Sequence, residues 1–195
     1  MTLNDVAKEI VVRNLRRRED RLFDIAQELS RVGVKYWVFD CADDKATLLS
    51  ATWWNAQNAL QCIRYAKKAE LENILLLDDD CVFAPDFNKR FDALWPHVPE
   101  NWDIVSFGEI YGSRQQVYPG IVRATHSWGG HASLIRNTMY DKLLNTLTGD
   151  TWADEEVNIK LKGSINFYAF SPYLITQKAG HSDLKHKFVD NREFL

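Results

Sequence analysis

Two periodicities divide the chain into elements. Glu9-Ile10-Val11-Val12 reads as a short opening strand. From Glu19 to Val32, the apolar positions Leu22, Ile25, Ala26 and Leu29 keep helical spacing, and Gly33 stands where a helix terminates. Tyr36-Trp37-Val38-Phe39 is the next strand, so the pattern is strand, helix, strand. Such a unit predicts two parallel neighbours. Residues 51–70 form a long helix whose stripe is Trp53, Ala56, Ala59, Leu60, Ile63 and Ala66. That helix delivers the chain to the apolar run Ile74-Leu75-Leu76-Leu77. Further along, the pattern predicts a helix over 87–94, a strand over 102–108 and a loop over 112–120. An antiparallel strand over 121–125 and a turn-rich segment over 126–131 follow. A short strand over 132–135, a helix over 137–147, a strand over 165–170 and a polar stretch over 177–183 complete the chain. The whole predicts one α/β domain with a mostly parallel central sheet flanked by helices, and a small antiparallel portion.

The most informative stretch is Ile74-Leu75-Leu76-Leu77-Asp78-Asp79-Asp80-Cys81-Val82-Phe83. An unbroken aliphatic run bounded by charge predicts a strand buried on both faces. In open α/β sheets, ligands sit beyond the carboxyl ends of the strands, where these aspartates stand. If the chain stays extended, Asp78 and Asp80 point one way and Asp79 the other. Adjacent carboxylates repel unless a cation or a proton intervenes. A hard divalent cation with oxygen ligands, Mn²⁺ or Mg²⁺, resolves that repulsion. A single Asp here would read as a turn residue; three in a row predict a metal-diphosphate site. A strand ending in Asp also occurs in P-loop NTPases. Those need a Gly-rich loop with Lys-Ser/Thr, which this chain lacks.

Five arginines fall within nine residues, from Arg13 to Arg21. They lie where the first strand ends and the first helix begins, a place that suits anions. Arg13 and Arg21 are the candidates for a nucleotide diphosphate, and Arg16, Arg17 and Arg18 for solvent. Asp43 and Asp44 follow the second strand, either as an ordinary turn or as partners for a base or ribose. Thr151 and Asp154 match a capping box ahead of Val157. His126 and His131, five apart, do not share a helix face. They line a pocket or bond backbone rather than chelate zinc together.

Composition narrows the class. The 195 residues are 46% apolar and 26% charged, the balance of one globular domain. A net charge of −3 argues against a nucleic-acid binder, so any anion site is local. Cys41, Cys62 and Cys81 have no metal-ligand spacing and read as reduced thiols. The first nine residues carry no apolar signal core, and no run approaches membrane-spanning length. The expectation is a cytoplasmic protein without a transmembrane segment.

In this order the motifs resemble glycosyltransferase family 25, the lipopolysaccharide-biosynthesis and procollagen-galactosyltransferase group. The resemblance runs through Val12-Arg13-Asn14-Leu15 with Arg18-Glu19-Asp20-Arg21, then Asp78-Asp79-Asp80, Trp102-Asp103-Ile104-Val105-Ser106-Phe107-Gly108, Thr125-His126, Asp154 and His181-Ser182-Asp183. It covers most of the chain. It implies a GT-A fold, with residues 9–108 as the nucleotide-sugar and metal half and residues 109–195 as the acceptor half. The implied reaction moves a hexose, galactose or glucose, from a UDP-sugar to a hydroxyl of a glycan, a lipid-linked sugar or a protein, with inversion. The implied roles are metal ligation by Asp78, Asp80 and His181, and donor binding by Arg13, Asn14, Arg21, Asp79, Asp43 and Asp44. Asp154, with Glu155 second, is the implied general base. The chain is short for the family, and Asp78 stands where the family often has Glu. A nucleotidyltransferase, a nucleotide-sugar hydrolase and a sugar-binding module without transfer remain open from the sequence.

Overall fold

The computed structural model describes residues 1–42, 50–108, 111–182 and 187–190. Asp43 and Asp44 lie outside the described residues. A short helix α1 (Leu3–Val6) precedes β1 (Ile10–Leu15), α2 (Glu19–Val32), β2 (Trp37–Cys41), α3 (Ala51–Lys68) and β3 (Asn73–Asp78). Then come β4 (Cys81–Phe83), α4 (Phe87–Leu94), β5 (Ile104–Ser106), β6 (Tyr111–Tyr118), β7 (Ile121–Trp128) and β8 (Ala132–Arg136). The last elements are α5 (Tyr140–Thr146), α6 (Ala153–Lys160), β9 (Phe167–Phe170), β10 (Ile175–Gln177), β11 (Gly180–Ser182) and β12 (Lys187–Val189).

Eight strands make one sheet in the order β2-β1-β3-β8-β5-β9-β7-β6. Only β7 and β8 run against the other six, so the sheet is mostly parallel in direction. β8 inserts between β3 and β5. The second half of the chain therefore completes the sheet begun by the first.

Strict alternation along β1 and β3 decides which face each residue serves. Ile10, Val12, Leu75 and Leu77 enter the core beneath α2 and α4. Val11, Ile74 and Leu76 enter a second core, shared with Ala56, Leu60 and Ile63 of α3 and Leu143 of α5. The helices take opposite faces because β2 and β3 lie on opposite sides of β1, and right-handed crossovers in opposite directions cover opposite faces. Helix α2 closes on Gly33 at φ 73°, where its N–H and that of Val34 satisfy the last carbonyls. Ser50 caps α3 by accepting from the Trp53 N–H at 3.2 Å.

Two expectations give way. Residues 112–120 are not a loop: β6 pairs with β7 through residue 118, and the chain turns at Gly120, φ 92°. The β7 strand also runs on to Trp128, through the segment expected to be turns. Arg114, Gln115 and Gln116 are exposed on this edge strand, so the alternation that marks half-buried strands is missing from its sequence.

The α2/α4 core centres on aromatic rings. Phe91 stacks on Phe87 at 5.8 Å and on Phe107 at 5.9 Å, and meets Phe170 edge-on at 6.4 Å. Phe91→Ala is expected to cost about 3–5 kcal/mol, read as a lower denaturant midpoint with an unchanged slope.

Candidate active site

β1 is flanked by β2 on one side and β3 on the other, and the chain visits those neighbours in turn. The carboxyl ends of β1 and β3 therefore border a topological switch point, where such sheets bind ligands. Continuing the alternation, Arg13 follows Val11 and Asp78 follows Leu76 on the α3/α5 face. They are also register partners across β1 and β3. The Arg13 guanidinium donates to Asp78 Oδ1 at 2.5 Å, and the arginine side chain is 10% exposed. Burial pushes the Arg13 pKa down, but Asp78 outweighs it and the pKa rises. The Arg13 Nε is buried without a hydrogen-bond partner among the described residues, beside the cavity that Arg13 lines.

The chain does not stay extended past Asp78. It turns at Asp79 and Asp80 before β4, which pairs with β10 instead of the main sheet. The turn swings both carboxylates toward α2. Arg21 Nη1 donates to Asp79 Oδ1 at 2.8 Å and Asp80 Oδ2 at 3.2 Å, and Nη2 donates to the His181 carbonyl at 2.7 Å. Gln177 Nε2 donates to Asp80 Oδ1 at 3.1 Å, and the Lys178 N–H to the Asp80 carbonyl at 2.7 Å. Burial pushes the Asp79 carboxyl up to about 7, against the pull of Arg21. Burial and the neighbouring Asp78 also raise Asp80.

All three aspartates, both arginines, Cys41 and Ala42 line one cavity of about 710 Å³, a size usual for small-molecule sites. Asp154, Glu155, Trp54, Trp128, Trp152 and His131 line it too. Asp154 opens α6 and is fixed by the Gly129 N–H, which donates to Oδ2 at 2.8 Å. Thr151 Oγ1 donates to Glu155. Trp152, not Thr151, is the helix N-cap residue, so the expected capping box does not form. Asp154 still serves the first turn of α6, since its Oδ1 accepts from the Glu155 N–H at 3.0 Å, and it also lines the cavity.

Glu156, fully buried, anchors the loop leading into α6. Its carboxylate accepts from the Thr148 N–H at 2.7 Å, Thr148 Oγ1 at 2.7 Å, the Gly149 N–H at 3.1 Å and the Asp150 N–H at 3.0 Å. Burial raises its pKa, but these donors and Lys160 prevail and hold it below the usual value.

Three sequence expectations need correction or addition. Asn14 takes the opposite face from Arg13: it is 1% exposed, donates to the Leu15 carbonyl and does not line the cavity. His181 is exposed, and its carbonyl, not its ring, meets the arginine. Among the described residues, no group of three or more His, Cys, Asp or Glu side chains is arranged to hold a metal ion. The aspartates face arginines instead. Their donor chemistry still fits a hard cation: oxygen only, anionic, crowded, with protonation favoured at Asp79 by burial. Arg17, Gln177 and Lys178 also line the cavity. Arg17 is exposed, as expected, while also bordering the cavity, and nothing in the local pattern around Gln177 marks it. His131 does both things expected of it: it lines the cavity, and its Nε2 lies 3.4 Å from the Ile175 carbonyl. Gly108 permits that approach, since a Cβ there would meet the Ile175 oxygen at 1.8 Å and His131 Nε2 at 2.5 Å.

No protein-family model matches the chain, and no curated protein sequence matches it. Solved structures do. A glycosyltransferase involved in the glycosylation of the major capsid of PBCV-1 superposes with a TM-score of 0.60, at 10% identity, over 95% of this chain and 97% of that one. A197 from STIV gives a TM-score of 0.50 at 14% identity, over 92% and 91% of the two chains. The architecture is thus the α/β fold found in GT-A glycosyltransferases. No described helix is long and apolar enough to cross a membrane.

Glu156→Gln is expected to destabilise the protein by about 1–3 kcal/mol at pH 7, because a backbone donor loses its acceptor. A folded pKa held below the unfolded one contributes stability above the unfolded value and loses it as pH falls. The difference between wild type and variant in thermal melts is therefore expected to shrink below about pH 4.5. A pH-independent difference would contradict this role.

Proposed function

We propose that the chain is a metal-dependent glycosyltransferase that moves a hexose from a UDP-sugar to an acceptor hydroxyl with inversion, related to glycosyltransferase family 25. One observation carries the reading: an acidic triplet faced by two arginines at the sheet's switch point shares a cavity with Asp154. A diphosphate needs positive charge where it leaves, and an attacking hydroxyl needs an acceptor for its proton. The cavity has groups suited to both.

Asp78 and Asp80, with Asp79 beside them, would hold Mn²⁺ or Mg²⁺. When bound, such a cation supplies a Lewis acid for the diphosphate oxygens. Arg13 offers its spare Nε to the same anion, and Arg21 can turn to it from Asp79 and Asp80. The nucleoside lies toward Cys41 and Ala42, at the end of β2. Asn58 pins that segment by accepting from the Ala42 N–H at 3.1 Å. On the other side, Trp128 and Trp152 line the cavity together with Asp154, offering aromatic faces to an acceptor.

In the transfer, Asp154 takes the acceptor hydroxyl proton. The acceptor oxygen forms a bond to the anomeric carbon from the side opposite the diphosphate. The bond from that carbon to the diphosphate oxygen breaks, and UDP leaves with the electron pair. Glu155, held by Thr151, lies beside this path. The Gly129 N–H fixes Asp154 Oδ2, which orients the carboxylate before any substrate arrives.

Two variants separate the halves of the reaction. Asp80→Ala is expected to abolish Mn²⁺-dependent UDP binding in calorimetry. Asp154→Asn is expected to keep that binding and to lower transfer, assayed as UDP release, by about 10²–10⁴-fold. An Asp154→Asn protein that turns over at the native rate would remove Asp154 as the base.

A further inference from the structure

We infer that, given the cation–diphosphate reading on which this rests, Arg21 is an exchangeable counter-ion. It occupies the acidic turn until cation and nucleotide enter together, and so couples their binding. Three observations support this. The Arg21 guanidinium bridges Asp79 at 2.8 Å and Asp80 at 3.2 Å, between the carboxylates a cation would need. Its second nitrogen is committed to the His181 carbonyl at 2.7 Å, which steadies it in that position. Among the described residues the carboxylates are not arranged as a ready metal site.

Charge bookkeeping gives the coupling its sign. Within these ion pairs, three carboxylates face two guanidinium groups, an excess of one negative charge when all three are ionised. A divalent cation arriving alone overshoots that charge and meets Arg21 at close range, a like-charge contact in a partly buried site. It also competes with Arg21 for Asp79 Oδ1 and Asp80 Oδ2, which already accept from the guanidinium. A diphosphate changes the sum. Its negative charge receives the guanidinium, and the acid oxygens become free for the cation. Arg13 stays on Asp78 by register and contributes little to the exchange. The cation and the nucleotide therefore raise each other's affinity by the same factor, as linkage requires.

Manganese binding is read by the electron-spin signal of free Mn²⁺, titrated with and without UDP, for wild type, Arg21→Gln and Arg21→Lys. In wild type, UDP is expected to tighten Mn²⁺ binding by about 10- to 100-fold. Arg21→Gln removes the resident charge, so Mn²⁺ alone is expected to bind about tenfold tighter than in wild type, with the UDP effect reduced. Arg21→Lys keeps the charge and retains weak binding of Mn²⁺ alone, which rules out a mere loss of packing as the cause. Melting curves confirm that each variant is folded. Equal Mn²⁺ affinity with and without UDP in wild type, or unchanged affinity in Arg21→Gln, overturns the exchange while UDP binding itself upholds the donor site. No UDP binding at any Mn²⁺ concentration overturns the glycosyltransferase reading, and the exchange with it.

Discussion

The pairing of Arg13 with Asp78 across β1 and β3 is the contact on which the site depends. Both side chains sit at the last shared register position of two central parallel strands, on the face that α3 and α5 cover. Removing Asp78 would leave Arg13, 10% exposed, as an uncompensated buried charge, which typically costs about 3–5 kcal/mol. The pair fixes where the apolar core stops and the polar cavity begins. Everything acidic beyond it, the turn at Asp79 and Asp80 included, is arranged relative to that boundary.

The cavity has two sides supported in different ways. Beside Asp78, Asp79 and Asp80, sheet register and α2 bring arginines to carboxylates, so the charges are held by regular structure. Elsewhere along the same cavity, a loop delivers Trp152 and Asp154. That loop is ordered because a buried Glu156 collects its backbone donors. The Gly129 N–H then ties the β7–β8 turn to the start of α6. A polar network of this kind, fully satisfied, holds a loop as firmly as a strand would be held.

How much of this could be read in the chain follows from which signals are local. Ile74 to Leu77 announced a strand buried on both faces, since period-two burial against helices on each side leaves no polar position. The three aspartates marked its carboxyl end as a candidate site, and they line the cavity there. Arg13 and Arg21 were legible as anion-binding candidates because they bracket the first strand-to-helix junction. Asn14 was misplaced because a motif match ignores the alternation that turns it away from Arg13. The β6 strand escaped notice because an exposed edge strand needs no apolar stripe. Gln177 and the His181 carbonyl reach Asp80 and Arg21 only through long-range pairing of β10 with β4, to which no local pattern points. The arginine contacts of Asp79 and Asp80 belong to the same class.

The likeness to a glycosyltransferase over nearly the full length of both chains supplies the fold, and the residues supply the chemistry. The most direct test of the central claim is a crystal structure with Mn²⁺ and UDP, using the anomalous signal of manganese to locate the ion. The account predicts one peak within coordination distance of Asp80 and of the diphosphate, with Arg21 turned from Asp79 toward a phosphate oxygen. A nucleotide bound elsewhere, or a peak with Arg21 still bridging Asp79 and Asp80, would contradict it.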